Sequence, residues 1–198
     1  NYTLNINIPS EYTPTLVMAG TDRTIDSDLS ETLNTIDFSL ASDDLTLDIG
    51  LVKLGSIGDL VWEDLNCNGI REIGEPGLPN VVVMLEGLDL FNTLIQQSTI
   101  TDNQGNYLFD NLKPGQYTVI FEAPSGFEFS QAMMNVVNLL SGQQVLSIDA
   151  PLFRRAALGD FVWYDTNENG IQDIGELGAE GIKITLTGTT SIGQVNRD

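Results

Sequence analysis

Apolar and polar residues alternate along much of this chain with the two-residue period of a half-buried strand. Tyr2-Thr3-Leu4-Asn5-Ile6-Asn7-Ile8 and Lys183-Ile184-Thr185-Leu186-Thr187 show it most plainly, because successive side chains of a strand point to opposite faces. Between residues 54 and 153 the same pattern predicts strands near 57–63, 80–86, 94–101, 106–110, 116–122, 134–140 and 144–150. Turn residues separate them: Asn68-Gly69, Asp102-Asn103-Gln104-Gly105, Lys113-Pro114-Gly115 and Ser141-Gly142. Each supplies the positive φ, fixed φ or side-chain acceptor that a reversal needs. Seven short strands so punctuated predict an all-β fold, an antiparallel sandwich. Trp62, Tyr107, Phe109, Tyr117 and Phe121 are its expected aromatic core, since large aromatics in strands are usually buried.

The pattern also repeats. Residues 58–87 return as 159–188, pairing Trp62 with Trp163, Asp64 with Asp165 and Glu75 with Glu176 at an offset of 101 residues. A period this long denotes a whole domain in tandem, because solenoid units run about 20–50 residues. The start of the chain repeats a different part: residues 2–10 line up with 117–125, and Asp48 with Asp149. The expected division is 1–53 as the C-terminal half of one domain, 54–153 as a complete domain, and 154–198 as the N-terminal half of a following one. The connections at 53–56 and 153–157 are short, which favours a stiff rod over a flexible string. Neither half can bury an apolar face alone, so each end is expected to be completed by more sequence. That sequence would come from a longer covalent array or from a neighbouring subunit in a filament.

Inside the longer repeat lies a twelve-residue loop that occurs twice. It reads Asp64-Leu65-Asn66-Cys67-Asn68-Gly69-Ile70-Arg71-Glu72-Ile73-Gly74-Glu75, then Asp165-Thr166-Asn167-Glu168-Asn169-Gly170-Ile171-Gln172-Asp173-Ile174-Gly175-Glu176. Oxygen-bearing side chains stand at positions 1, 3, 5, 9 and 12, glycine at 6, and a residue offering its backbone carbonyl at 7, the ligand order of an EF-hand loop. Predicted strands flank both copies where an EF-hand has helices, so calcium is expected to fix a corner of a β-domain. Magnesium suits the loop less, because it retains its waters where this loop offers six or seven oxygens. Asp, Asn and Gly also build plain turns; the acidic residues at 9 and 12 in both copies distinguish these loops from that reading.

Composition narrows the partners. The 198 residues carry 28 acidic and 8 basic side chains, a formal net charge of −20. Nucleic acid is excluded as a natural partner, because displacing phosphate counterions needs a Lys/Arg face, and an anionic membrane surface is disfavoured for the same reason. No apolar run approaches the roughly 20 residues of a membrane span. Histidine is absent and Cys67 is the one cysteine. That leaves no intrachain disulfide, no ordinary His/Cys zinc site and no Ser–His or Cys–His nucleophile. The clustered carboxylates follow a metal-ligand order, so a non-catalytic chain is expected.

The motif Gly-Asp-x-Val-Trp-x-Asp-x-Asn-x-Asn-Gly-Ile-x-(Asp/Glu)-x-Gly-Glu resembles the opening of the SdrD B-like domain. Thr101-Asp102-Asn103-Gln104-Gly105-Asn106-Tyr107-Leu108-Phe109 and Leu112-Lys113-Pro114-Gly115-Gln116-Tyr117 resemble later parts of it. That family supplies B repeats of Ser-Asp-rich staphylococcal surface proteins and stalk modules elsewhere, and is akin to the collagen-adhesin B-type fold. The resemblance implies tandem Ig-like/prealbumin-like β-sandwich domains, extracellular, stiffened by calcium. It assigns the main calcium loops to Asp64, Asn66, Asn68, Ile70, Glu72 and Glu75, and to Asp165, Asn167, Asn169, Ile171, Asp173 and Glu176. Further family sites would fall on Asp59 with Asp102, on Asp160, and on the cluster Asp22, Asp26 and Asp28, for which a solvated turn is the alternative. The complete domain departs from the family there: Pro124 to Asp149 spans 25 residues against 39 from Pro9 to Asp48, with no Asp between. A Lys–Asn isopeptide bond, carried by some collagen-adhesin B members, is not expected of Lys53, Lys113 or Lys183, none of which lies in the first strand.

The leading expectation is a structural repeat of a surface stalk, filament or biofilm-matrix fibre, with calcium and adjacent repeats or subunits as partners. The alternative is an adhesin module binding a host or neighbour-cell ligand. A dockerin-like assembly module is opposed by the 101-residue spacing of the loops.

Overall fold

The computed structural model describes residues 1–22, 24–30, 34–39, 45–133, 135–190 and 193–197. In chain order the strands are β1 (Tyr2–Asn5), β2 (Tyr12–Pro14), β3 (Thr35–Phe38), β4 (Leu51–Lys53), β5 (Gly55–Glu63), β6 (Val82–Asp89), β7 (Leu94–Ile100) and β8 (Asn106–Leu112). They continue with β9 (Gly115–Glu122), β10 (Phe127–Phe129), β11 (Val136–Leu139), β12 (Gln144–Leu146), β13 (Ala150–Arg154), β14 (Leu186–Thr190) and β15 (Gly193–Arg197). Among the described residues there is no helix.

Residues 55–154 make a β-sandwich of two sheets. One runs β11–β9–β6–β7, antiparallel throughout; the other runs β10–β13–β5–β12, with β8 also paired to β5. Alternate residues of both sheets meet in one core: Ile57 and Val61 of β5, Val83 and Leu85 of β6, Tyr107 and Phe109 of β8, Tyr117, Val119 and Phe121 of β9. Tyr107 packs edge-on against Phe109 and Phe121, with ring centroids 6.0 and 5.4 Å apart. Polar handles of the two buried tyrosines are satisfied by backbone, Tyr107 donating to Ile148 O at 2.6 Å and Tyr117 to Lys113 O at 2.8 Å, as buried hydroxyls require. Trp62 is buried too. It sits one residue on from Val61, on the opposite face of β5, and is not part of that central cluster.

Three expectations are corrected. The sandwich is not wholly antiparallel, because β12 and β13 run parallel to β5. The strand expected over 144–150 is two strands. Residues 144–146 sit opposite 56–58 and 150–152 opposite 61–63, a one-residue jog. The jog falls at Ser147-Ile148-Asp149, where the Tyr107 hydroxyl takes up the Ile148 carbonyl. β10 was not expected; at three residues it is too short to show a period. Met134 of the expected strand 134–140 lies outside the described residues.

The flanking segments reuse pieces of this architecture. β2 pairs with β4, Tyr12 opposite Lys53, as β10 pairs with β13, Phe127 opposite Arg154. The bonds around them correspond: Thr15 N–H to Gly50 O and Ser130 N–H to Pro151 O, both 3.0 Å. β1 pairs with β3, Thr3 opposite Asp37, whereas β9 pairs with β11, Thr118 opposite Val136. The two pairings are of the same antiparallel kind, and the extra length of the first segment falls outside them. β14 and β15 form a hairpin. What differs is burial: Ile184 is 62% exposed, while Val83, its counterpart, is fully buried.

Leu85→Ala should lower the stability of the full chain by about 2–5 kcal/mol through lost burial and a residual cavity. Leu108→Ala, on the exposed face of β8, should change it by less than about 0.5 kcal/mol. Guanidinium denaturation followed by tryptophan fluorescence measures both.

Candidate metal-binding loops

The first loop is an excursion between two rungs of a ladder. Glu63 N–H bonds Pro76 O at 2.9 Å, Leu78 N–H bonds Val61 O at 2.8 Å, and Trp62 bridges Gly77. Residues 64–75 project from that closure. Gly77 is required there: a Cβ would fall 1.7 Å from the Gln104 carbonyl oxygen. β13 fixes the loop from behind, through the Asp64 N–H to Leu152 O at 2.8 Å.

Inside the loop, carboxylates and amides collect backbone N–H groups that turn geometry leaves unpaired. Asp64 Oδ1 accepts from Asn68 N–H at 3.2 Å and Oδ2 from Gly69 N–H at 2.8 Å. Glu75 Oε1 accepts from Leu65 N–H at 2.9 Å and Oε2 from Glu72 N–H at 3.0 Å. Asn66 Oδ1 takes Asn68 N–H and Asn68 Oδ1 takes Ile70 N–H, two successive Asx turns. Their amide nitrogens donate to Glu72 at 3.0 and 2.7 Å. Cys67, Gly69 and Gly74 have φ of 58°, 73° and 103°, the left-handed region that glycine enters freely and Cys67 enters at a cost.

The second loop repeats this bond for bond. Asp165 receives Asn169 and Gly170 N–H at 3.2 and 2.7 Å. Glu176 receives Thr166 and Asp173 N–H at 2.8 and 3.0 Å. Asn167 and Asn169 donate to Asp173 and accept from Asn169 and Ile171 N–H. Glu168, Gly170 and Gly175 take φ of 61°, 73° and 101°. The Asp64 and Glu75 side chains are buried, whereas Asp165 and Glu176 are partly exposed, and the loop takes the same shape in both.

Charge in the first loop is tuned by its hydrogen bonds. Burial pushes the Asp64 carboxyl up, but the nearby Ser130 hydroxyl, which makes no well-formed hydrogen bond, and the N–H groups of Gly69, Asn68 and Cys67 outweigh it and lower the group. In the second loop the Asn167 and Asn169 amides lower Asp173 in the same direction. An all-oxygen set of carboxylates, amide oxygens and the carbonyl of Ile70 or Ile171 suits a hard divalent cation. Among the described residues no three carboxylates or other His/Cys-type ligands are drawn into one cluster. The acidic residues are spread along the loop, each held by N–H donors. Every carboxylate oxygen so held keeps a second lone pair, so the donor chemistry fits calcium.

The weaker candidates take different partners. Asp59 is brought against Asp149: burial first, then the Asp149 charge and a hydrogen bond with it, raise the Asp59 carboxyl, with Arg71 opposing. Sequence alone marks Asp149 only by its alignment with Asp48 and does not place it beside Asp59. Asp102 serves its own turn, accepting from Gln104 N–H at 2.9 Å and Asn106 N–H at 2.8 Å. Asp160 accepts from Phe161 N–H. Asp22 accepts from the Thr24 N–H and hydroxyl at 3.0 and 2.6 Å. Asp28 instead ties its loop to the strand end, receiving Asp48 N–H at 2.9 Å, beside buried Asp26 and Ser27. Arg23, Glu31 and Thr32 of that acidic loop lie outside the described residues. Lys113 lies 3.6 Å from Asp89 and over the Phe91 ring.

The chain is similar in sequence to known proteins. The chain is 36% identical over 200 residues to the serine-aspartate repeat-containing protein F of Staphylococcus epidermidis, covering 94% of this chain and 12% of that protein. It is 34% identical over 199 residues to the serine-aspartate repeat-containing protein D of Staphylococcus aureus (strain Newman), covering 93% of this chain and 15% of that protein. It therefore spans a small part of the length of either relative. Among solved structures, the full-length major pilin SpaD of Corynebacterium diphtheriae matches 52% of this chain and 32% of its own, at TM-score 0.40 and 17% identity. The minor pilin GBS52 of Streptococcus agalactiae matches 64% of this chain and 62% of its own, at TM-score 0.37 and 17% identity. The family model for the SdrD B-like domain matches residues 55–141 and 156–197, and with it the chain belongs to the SdrD B-like domain family.

Proposed function

We propose that this chain is a non-catalytic, calcium-stabilised spacer: tandem β-sandwich domains of an extracellular stalk or filament at a cell surface. The observation that carries the reading is the identity of the two loops, bond for bond, with the end carboxylates buried in one and partly exposed in the other. A loop that takes the same conformation at both positions is poised for the same ion in each repeat. Asp64, Asn66, Asn68, Ile70, Glu72 and Glu75 would hold one calcium, and Asp165, Asn167, Asn169, Ile171, Asp173 and Glu176 another. Bound calcium would neutralise the carboxylates and lock the strand corner that Trp62 and Gly77 close.

The division into a partial, a complete and a second partial domain at 1–53, 54–153 and 154–198 is part of the proposal, supported by the register shared by β2–β4 and β10–β13. Stiffness is supported by the first junction. β4 and β5 are separated by Leu54 alone. The Lys53 N–H bonds Ser141 Oγ and the Lys53 carbonyl accepts Gly142 N–H, both at 2.9 Å. Leu54 N–H bonds Glu11 O at 2.8 Å. A connection bonded on both sides transmits orientation. Adjacent repeats, in the same chain or a neighbouring subunit, are the proposed partners.

Chelation is the first test. A ligand bound only by the folded state at a hundredfold excess over Kd adds about 2.7 kcal/mol, and each kcal/mol moves the melting point of a domain this size by about 4–8 °C. EDTA should lower the melting temperature by several degrees or more and speed proteolysis near 64–75; an unchanged melting curve would sink the calcium reading. In calorimetry, Glu75→Ala should weaken calcium binding more than Asn66→Ala, because a charge and two oxygens leave together. Equal affinity in wild type and Glu75→Ala would show that Glu75 is not a ligand.

Asp59 gives a pH signature. Its carboxyl is raised in the folded state, so the folded protein is penalised above that raised pKa, and the penalty fades as pH falls through it. In EDTA, Asp59→Asn should melt higher than wild type at pH 7, with the gain shrinking toward pH 4. A gain independent of pH in that window would refute the Asp59–Asp149 repulsion.

A further inference from the structure

β7 is an edge that the fold leaves open. It ends the order β11–β9–β6–β7 and its ladder runs only to β6, over seven positions from Leu94 opposite Leu88 to Ile100 opposite Val82. Edge strands are ordinarily protected by charge, proline, bulges or brevity. Other edges of this sandwich have such protection: β8 carries Asp110, β10 carries Glu128, and β11 and β12 are four and three residues long. β7 has none of it. Its sequence Leu-Ile-Gln-Gln-Ser-Thr-Ile is uncharged and unbroken, in a chain with a net charge of −20.

The strand is also self-complementary. Leu94, Gln96, Ser98 and Ile100 share the outer face, and the two apolar residues at its ends are 63% and 60% exposed. Gln97 lies on the inward face, opposite Leu85, and is nevertheless exposed, so the strand overhangs the second sheet. An antiparallel pair centred on Gln97 would set Leu94 against Ile100 of a second copy at both ends. It would set Gln96 against Ser98 and place the Gln97 side chains face to face on the two-fold axis. Such pairing is isologous, closes at two copies, and brings no two carboxylates of β7 together.

We propose that β7 is a lateral pairing surface for a second copy of this chain, joining two sandwiches into one continuous eight-stranded sheet about an axis through Gln97. The contact is side-to-side, distinct from the end-to-end order of repeats, and it does not rest on the calcium reading.

The test uses the full chain in calcium and again in EDTA, below the melting temperature in each. Sedimentation equilibrium should show a monomer–dimer transition that Gln97→Asp weakens by about tenfold or more, since it sets like charges directly opposite. In a Cys67→Ser background, Gln97→Cys should form intermolecular disulfides at least about tenfold faster than Ser125→Cys, an exposed turn control, as expected of residues facing each other across a strand pair. A dimer indifferent to Gln97→Asp would place association elsewhere. A monomer at every concentration, with Gln97→Cys no faster than the control, would overturn the proposal outright.

Discussion

Each loop depends on two carboxylates gathering backbone N–H groups from opposite ends of a twelve-residue excursion. Asp64 holds the N–H groups of Asn68 and Gly69, and Glu75 those of Leu65 and Glu72. A loop that turns this tightly forms no ladder, and its N–H groups would otherwise face water or go unpaired. The carboxylates convert that liability into a fixed shape, and the strand corner behind it follows. With the loop shaped, Glu63, Leu78 and Gly77 meet their partners, and β5 and β6 are launched toward opposite sheets. Charge-assisted bonds of this kind are stronger than neutral ones. Their cost is that each carboxylate so held keeps its negative charge in the loop.

Much of this was legible because it is local. Asp-x-Asn-x-Asn-Gly specifies its Asx turns and left-handed glycine within six residues, and both copies fold alike although their end carboxylates differ in burial. The alternation that predicted β5, β6, β7, β8 and β9 is local in the same sense. What escaped the sequence is the relation between distant segments. Nothing in Gln144-Val145-Leu146 states that it runs parallel to β5, or that a one-residue jog follows where Tyr107 reaches Ile148. Asp149 was seen as the mark of a repeat, and its contact with Asp59 arises only when the last strands close beside the first. Trp62 was correctly expected to be buried, but alternation alone does not tell which of two buried faces receives it.

The net charge of −20 constrains how such units can be arranged. At physiological ionic strength charges are screened over about 8 Å, so successive loops in an array would hardly feel each other, and repulsion cannot keep it straight. Straightness would have to come from bonded junctions of the kind seen around Lys53 and Leu54, which act at contact distance. Sideways approach meets a different limit, because carboxylates on facing surfaces come within the screening length. Two such chains can approach closely only along a strip free of charge, and the open edge at β7 is a strip of that kind. Stiffness along the array and selectivity beside it would thus have separate origins: backbone hydrogen bonds at the junctions, and a long uncharged edge on a chain of net charge −20.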